Sequence, residues 1–457
     1  MIERSGIQGL IVRSYQQFGF LHSAHLMFTV EDAGAGREAL AAIVPRVCHA
    51  AADMAAADCV LNVSLSWAGL NAIGAVGPAA CGEFPAEFMA GPDAVITGDR
   101  EEDAPAGWWE GQFGSPDVHL VVHAFARGDD ALRQGIASIR AALPRAGVRE
   151  LIPTRANGPL LAASLSPNPQ ELHFGYLDGF SQPDVDWEDR KDRPEALDPR
   201  HFLLGYGNEA FPSSPPADGA AAALVRDGSY LVLRWIYQDV AAFEQFLTAH
   251  APAVAQPGGA DPRELLAAKM MGRWRDGTPL VLSPDAPDPT IRADPFDYRQ
   301  DQDGRRCPFA AHVRIANHRD DELSHADEGM FGPWKPRMIR RGMSYGPKLE
   351  GRVDDRVDRG IVGLFFCASI NLQFYPLMRW MRKTSFQRVF EKTSNHRQDP
   401  IVGNRNEDMV DRSFTIPMPG GDIVLEDMPR FLRTKGTLFL LTPGLGALGR
   451  MAGIADA

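Results

Sequence analysis

A chain of 457 residues, 44% hydrophobic and 23% charged, is too long for one ordinary domain and has a globular rather than a disordered balance. Its 59 acidic residues against 47 lysines and arginines give a net charge of −12, which argues against nucleic acid as a partner, because phosphate contacts need a basic surface. No stretch reaches the ~18 consecutive apolar residues of a membrane span, and the N-terminus shows neither a secretory signal nor a twin arginine, so the expected location is the cytoplasm.

In chain order, residues 24–30 (AHLMFTV) read as a strand. Residues 36–49 have helical spacing that Pro45 cuts short. The β-branched apolar runs 59–66 and 118–126 predict two more strands. Residues 129–144 open on an Asp suited to an N-cap and continue at helical spacing, and 147–153 reads as a closing strand. The order β-α-β-β-α-β is the ferredoxin-like pattern. The stretch 70–117, rich in Gly, Pro and Ala, reads as an excursion, with a short helix at 66–73.

The second half repeats the plan more loosely. Residues 229–236 and 361–370 predict strands, 239–249 and 262–275 helices, and 437–442 a last strand. Residues 277–360 are long and polar, and a loop of that length inside a compact domain usually carries function. The charged segment 184–200 marks the division between halves. The expected fold is α+β with antiparallel sheets: residues 1–190 form one ferredoxin-like half and residues 191–457 the other. The five cysteines, Cys48, Cys59, Cys81, Cys307 and Cys367, are odd in number and lack CxxC spacing, which suits free thiols in a reducing compartment.

Four separated segments stand out: HFGYLDGFSQPD at 173–184, FLLGYGNE at 202–209, RCPFAAHVRIAN at 306–317 and IRRGMSYGP at 339–347. Gly175 and Gly179 bracket Asp178 in a turn-like stretch where backbone can approach a ligand, although Asp-Gly is also a common inert turn. His312 lies among small and apolar residues, as either a satisfied core histidine or a metal ligand. Arg340 and Arg341 are adjacent in an extended stretch, where successive side chains point to opposite faces. A separate cluster, His318, Asp320, Asp321, Glu322 and His325, reads as a solvated acidic loop before it reads as a non-haem metal site.

Together these segments resemble the dye-decolourising peroxidase family, in the same order along the chain. HFGYLDGFSQP is similar to that family's GxxDG signature, CPFAAHVRIAN to the segment carrying the proximal haem histidine, and IRRGMSYG to the segment carrying the distal arginine. Similarity extends through IQGLIVR at 7–13, GSYLVLRWIYQDVAAFEQFL at 228–247 and KMMGRWRDGTPLVLSPD at 269–285.

The resemblance implies two ferredoxin-like halves with one haem b per chain, held mainly by the second half. It implies His312 as axial ligand of the haem iron, with Asp178, Gly179 and Arg340 on the peroxide side. Asp178 would shuttle the proton of hydrogen peroxide, and Arg340 would stabilise charge on the departing oxygen. The resulting ferryl haem would oxidise small organic or dye-like substrates, with activity on the acidic side of neutrality.

Three departures accompany the match: Asn317-His318-Arg319 stands where the family often has Asn-Pro-Arg, the link from His312 to Arg340 is longer than usual through HRDDELSHADEGMFGPWKP, and 363–376 carries no acidic acceptor for His312. Two other readings of the same fold stay open: a haem protein that releases iron or carries haem, and a haem-free stress or cargo protein. Homo-oligomerisation is left open as well.

Overall fold

The computed structural model describes residues 2–155, 158–159, 162–164, 171–190, 192–193, 195–208, 215–291, 294, 296–321, 335–383, 398–403 and 412–454. Glu209, Glu322 and His325 lie outside them.

The first half contributes strands β1 (His22–Val30), β2 (Cys59–Leu65), β3 (Leu120–Ala126) and β4 (Val148–Leu151), with helix α1 (Ala33–Ile43) between β1 and β2 and helix α2 (Asp129–Ala142) between β3 and β4. The second contributes β5 (Ser229–Gln238), α3 (Val240–His250), α4 (Pro262–Met271), α5 (His312–Ala316), the short β6 (Ile339–Arg340) and β7 (Met343–Tyr345), then β8 (Gly360–Cys367), α6 (Tyr375–Lys383) and β9 (Leu432–Thr442). The strands lie in the order β7-β8-β5-β9-β2-β3-β1-β4, with β6 also on β8. Every pairing along this order is antiparallel. Each half thus has the ferredoxin-like arrangement, its last strand beside its first. The two fuse into one sheet where Leu441 of β9 pairs with Leu65 of β2.

Strand alternation divides the core. On β5, Leu231, Leu233 and Trp235 join Met27, Val121 and Phe125 of the first half and Leu364 of β8 in one buried cluster. Tyr230 and Val232, on the other face, pack with the helices. Arg234 lies on that helix-side face opposite Gly363 of β8.

The element ends follow from local chemistry. Helix α1 begins at Ala33, earlier than its apolar spacing suggests, because Asp32 caps it by accepting from Ala35 N at 2.8 Å. It stops at Ile43, and Pro45 falls in a following 3-10 turn. Asp129 is not the N-cap of α2; Gly128 is, and Asp129 stands inside the first turn, where a carboxylate meets the positive end of the helix dipole. Helix α4 ends at Met271, short of 275, because Gly272 turns left-handed at φ 89°. The apolar run that reads as one strand over 361–370 ends at Cys367, where Ser369 accepts from Leu372 N at 3.2 Å and opens the turn into α6. Strand β9 begins at Leu432, five residues before the apolar run, and absorbs a register shift between Thr434 and Gly436.

A buried polar chain crosses the seam. His25 Nδ1 and His123 Nδ1 are 2.9 Å apart, His123 Nε2 meets Ser64 Oγ at 3.0 Å, and Ser64 Oγ meets Thr442 Oγ1 at 2.7 Å. Burial pulls His25 down to about 4 and His123 well below the ordinary histidine value. The neutral imidazoles are therefore the folded forms. Their contribution is complete above pH ~6.5 and is lost as pH falls through the folded value, because the unfolded chain then binds more protons. Stability should fall on acidification from pH ~6.5 towards ~4, by on the order of 3 kcal/mol for His25. His25→Phe should flatten that limb in urea titrations at stepped pH. An unchanged slope would show that the pair does not govern acid unfolding.

Candidate active site

A cavity of about 400 Å³ opens on the helix-side face of the second half. Phe365, Phe374, Met378 and Ile401 supply apolar wall, and His312, Asp178, Gly179 and Arg340 all line it. Three of the four motifs separated in sequence, those bearing Asp178, His312 and Arg340, therefore meet at one place, while 202–209 does not line the cavity.

His312 is the first residue of α5, a helix too short to hold its own position. Its neighbours fix it. Arg314, fully buried, ion-pairs with Asp301 at 3.1 Å and Asp321 at 2.7 Å and donates to the Cys307 carbonyl at 2.7 Å. Trp380 Nε1 on α6 donates to the Ile315 carbonyl at 2.9 Å. Asp320 accepts from Tyr298 N at 2.7 Å. Asp320 and Asp321 thus brace α5, and His318 is buried, its pKa pulled down to about 3 by burial. No metal-binding cluster occurs among the described residues.

His312 Nδ1 lies 2.6 Å from Asp399 Oδ2, and Asp399 is fully buried while His312 is 28% exposed. The other oxygen, Oδ1, accepts from Ile401 N at 2.8 Å and Val402 N at 2.9 Å, so the carboxylate is held by its own turn. Sequence reasoning missed Asp399. It sought an acidic partner in 363–376, next to the apolar strand, whereas the partner comes from the far side of α6. The available signal was Asp399-Pro400-Ile401-Val402, an Asp placed to cap its own turn. Among the described residues, His312 Nε2 has no hydrogen-bond partner.

Asp178 sits in the turn that its glycines predict: Gly175 has φ 84° and Gly179 φ 98°, both left-handed. Asp178 is exposed within the site, and its Oδ1 accepts from Gly179 N at 2.7 Å. Arg340 ties this turn to the sheet, donating from Nη2 to the Ser181 carbonyl at 3.0 Å and from its backbone N to Gln182 Oε1 at 3.1 Å. Arg340 pairs opposite Phe365, and its neighbour Arg341 turns the other way. Solvent or an ion pair is the sequence-based expectation for Arg341. Instead its Nη2 donates to the Ile11 and Val12 carbonyls at 3.3 and 3.0 Å, and burial pulls its pKa down to about 9. Arg341 is a clamp between the N-terminal segment and the second half.

No protein-family sequence model matches the chain. It is 28% identical over 447 residues to the dye-decolorizing peroxidase of Exidia glandulosa, covering 93% of this chain and 83% of that protein. It is 28% identical over 363 residues to a multifunctional dye peroxidase of an Amycolatopsis species, covering 75% and 71%. A solved dye-decolorizing peroxidase variant in complex with cyanide superposes with a TM-score of 0.80 at 26% identity, over 99% of this chain and all of that one. The chain is thus similar to dye-decolourising peroxidases along nearly its whole length. A dye-decolorizing peroxidase complexed with 2,6-dimethoxyphenol aligns equally fully, with a TM-score of 0.79.

The residues present suit the haem of this family. The cavity offers one histidine nitrogen without a partner, a carboxylate behind the other nitrogen, and an apolar wall. A carboxylate accepting from the far nitrogen fixes the imidazole tautomer and makes the ligating nitrogen more basic.

Replacing the clamp residue should unfold the protein more readily. Arg341→Leu leaves two carbonyls without their donor and should cost about 1–3 kcal/mol. Its effect should appear in chemical denaturation. Wild-type stability would show that those contacts contribute nothing.

Proposed function

We propose that the chain is a haem peroxidase that reduces hydrogen peroxide and oxidises small organic, dye-like substrates. The observation that carries this reading is the His312–Asp399 hydrogen bond on the wall of the cavity that Asp178 and Arg340 also line. One haem b per chain fits the one histidine so placed among the described residues. When bound, the haem supplies the electrons that reduce peroxide and takes them back from the organic substrate.

The protein's part is to place groups. His312 would hold the haem iron through Nε2, with Asp399 orienting the ring through Nδ1. Asp178 accepts the peroxide proton on a carboxylate oxygen and returns it to the leaving oxygen, as general base and then acid. Arg340 keeps a permanent charge and stabilises the negative charge developing on that oxygen, while its bond to Ser181 holds the Asp178 turn within reach. Phe365 and the other apolar residues exclude water, which strengthens both effects.

The division at residue 190 then has a functional sense: the end of the first half supplies Asp178, and the second supplies His312 and Arg340. The segment bearing Asp178 already packs on the second half, with Phe174 4.5 Å from Phe243. All five cysteines are unpaired, as a reducing cytoplasm would keep them. No helix among the described residues is long and apolar enough to cross a membrane.

The test is stopped-flow mixing of the haem-loaded protein with peroxide. His312→Ala should lose haem or change its spin state. Arg340→Leu should slow the reaction with peroxide by about two to three orders of magnitude. Asp178→Asn should slow it as well, because the amide cannot accept the peroxide proton. Haem retention and peroxide reactivity unchanged in all three variants would refute the reading.

A further inference from the structure

Thioethers are concentrated along the cavity wall: Met271, Met338, Met343, Met378 and Met381 all line it. Met338, Met343 and Met381 are buried, whereas Met271 and Met378 are half-buried. Met378, on α6, is the one whose sulfur meets a guanidinium among the described residues. Arg234 Nη1, on β5, lies 3.7 Å from its Sδ.

Arg234 is buried and held in place. Its Nη2 ion-pairs with Asp99 at 2.6 Å and donates to Thr434 Oγ1, so its charge is balanced and its direction fixed. Asp99 is steadied in turn by the hydroxyl of Thr97, which donates to its other oxygen. That geometry aims Nη1 at a thioether, which is a weak acceptor. A buried guanidinium N–H gains little from such a partner, whereas an oxygen on the same sulfur would make a charge-assisted hydrogen bond. The wall thus offers an oxidisable sulfur, reachable from the cavity, beside a fixed donor for the oxygen it would gain.

We propose that Met378 is a modification site: hydrogen peroxide entering the cavity oxidises its thioether to the sulfoxide, and Arg234 holds the new oxygen. This rests on the reading of the cavity as the place where peroxide reacts. A sulfur lone pair attacks the nearer peroxide oxygen and the O–O bond breaks. The proton on the attacked oxygen passes to the leaving hydroxide, which departs as water. Sulfur is oxidised by two electrons and peroxide is reduced by the same two. Negative charge develops on the oxygens as their bond breaks, and Arg234 Nη1 stands where it can stabilise that charge. The product puts a polar group into an apolar stretch of wall, which weakens the hold on an apolar ring. Peroxide in excess of reducing substrate would therefore loosen the cavity's grip on its own cofactor.

The experiment is peptide mass mapping of the full-length haem-loaded protein after timed exposure to hydrogen peroxide without a reducing substrate. The peptide bearing Met378 should gain the mass of one oxygen before the peptide bearing Met418, which is also half-buried but does not line the cavity. Methionine sulfoxide reductase should remove that oxygen from the digested peptide. Arg234→Lys keeps a cation facing Asp99 but lacks the fork. It should slow the gain at Met378 on the order of tenfold, the worth of one hydrogen bond to a charged group, and leave Met418 unchanged. Met378→Leu, a volume-conserving change, should keep its Soret band through more peroxide than the wild type. Oxidation of Met378 no faster than that of Met418, an unchanged rate in Arg234→Lys, or equal bleaching of Met378→Leu and wild type would each overturn the proposal. A haem-loaded protein that turns over dye while Met378 stays unoxidised would overturn the proposal alone. A wild-type chain giving no Soret band with iron protoporphyrin IX would refute the haem reading itself, and the modification site with it.

Discussion

The hydrogen bond between His312 and Asp399 is the constraint around which the site is organised. An imidazole can present one nitrogen to a metal only if the other is committed elsewhere, and the 2.6 Å contact commits Nδ1. The buried carboxylate is tolerable because its second oxygen is satisfied by two backbone amides of its own turn. Without that turn, Asp399 would be a costly buried charge and His312 a freely rotating ring on a five-residue helix.

The larger structure serves this arrangement by bracing. Helix α5 is held by a buried arginine with two carboxylate partners on one side and by Trp380 on the other, so α6 fixes both the helix that carries His312 and the backbone of Asp399. Asp399 N donates to the Met381 carbonyl on α6 at 2.9 Å. Across the cavity, Arg340 links the Asp178 turn to the sheet. The sheet continues through the seam at Leu65 and Leu441 into the first half, where a chain of neutral histidines and hydroxyls replaces apolar packing. Rigid support of this kind matters for a redox cofactor, because small shifts of a ligand or a proton donor change reactivity strongly.

Much of the fold was legible because strand periodicity and helix capping are local. The runs at 24–30, 59–66 and 118–126, and the helix opening at 129, each lie within a residue or two of the observed strand or helix. The second half was less legible. Its second ferredoxin-like strand is split into β6 and β7, too short to show a period, and α6 follows β8 with no Gly or Pro before the turn. The site divides in the same way. Asp178, His312 and Arg340 stand in local motifs. Asp399 is 87 residues from His312 and is joined to it only by folding. The same holds for Arg341, whose carbonyl partners at Ile11 and Val12 are more than three hundred residues away in sequence. Contacts of that separation leave no periodic trace.

The account stands or falls on whether Asp399 acts on the iron through His312. Resonance Raman spectroscopy of the reduced haem-loaded protein reads the iron–imidazole stretching frequency directly. A strong hydrogen bond from Nδ1 to a carboxylate gives the imidazole imidazolate character and raises that frequency. The account predicts a clear downshift in Asp399→Asn with haem still bound. An unchanged frequency in that variant, or the absence of any iron–imidazole mode in the wild type, would contradict it.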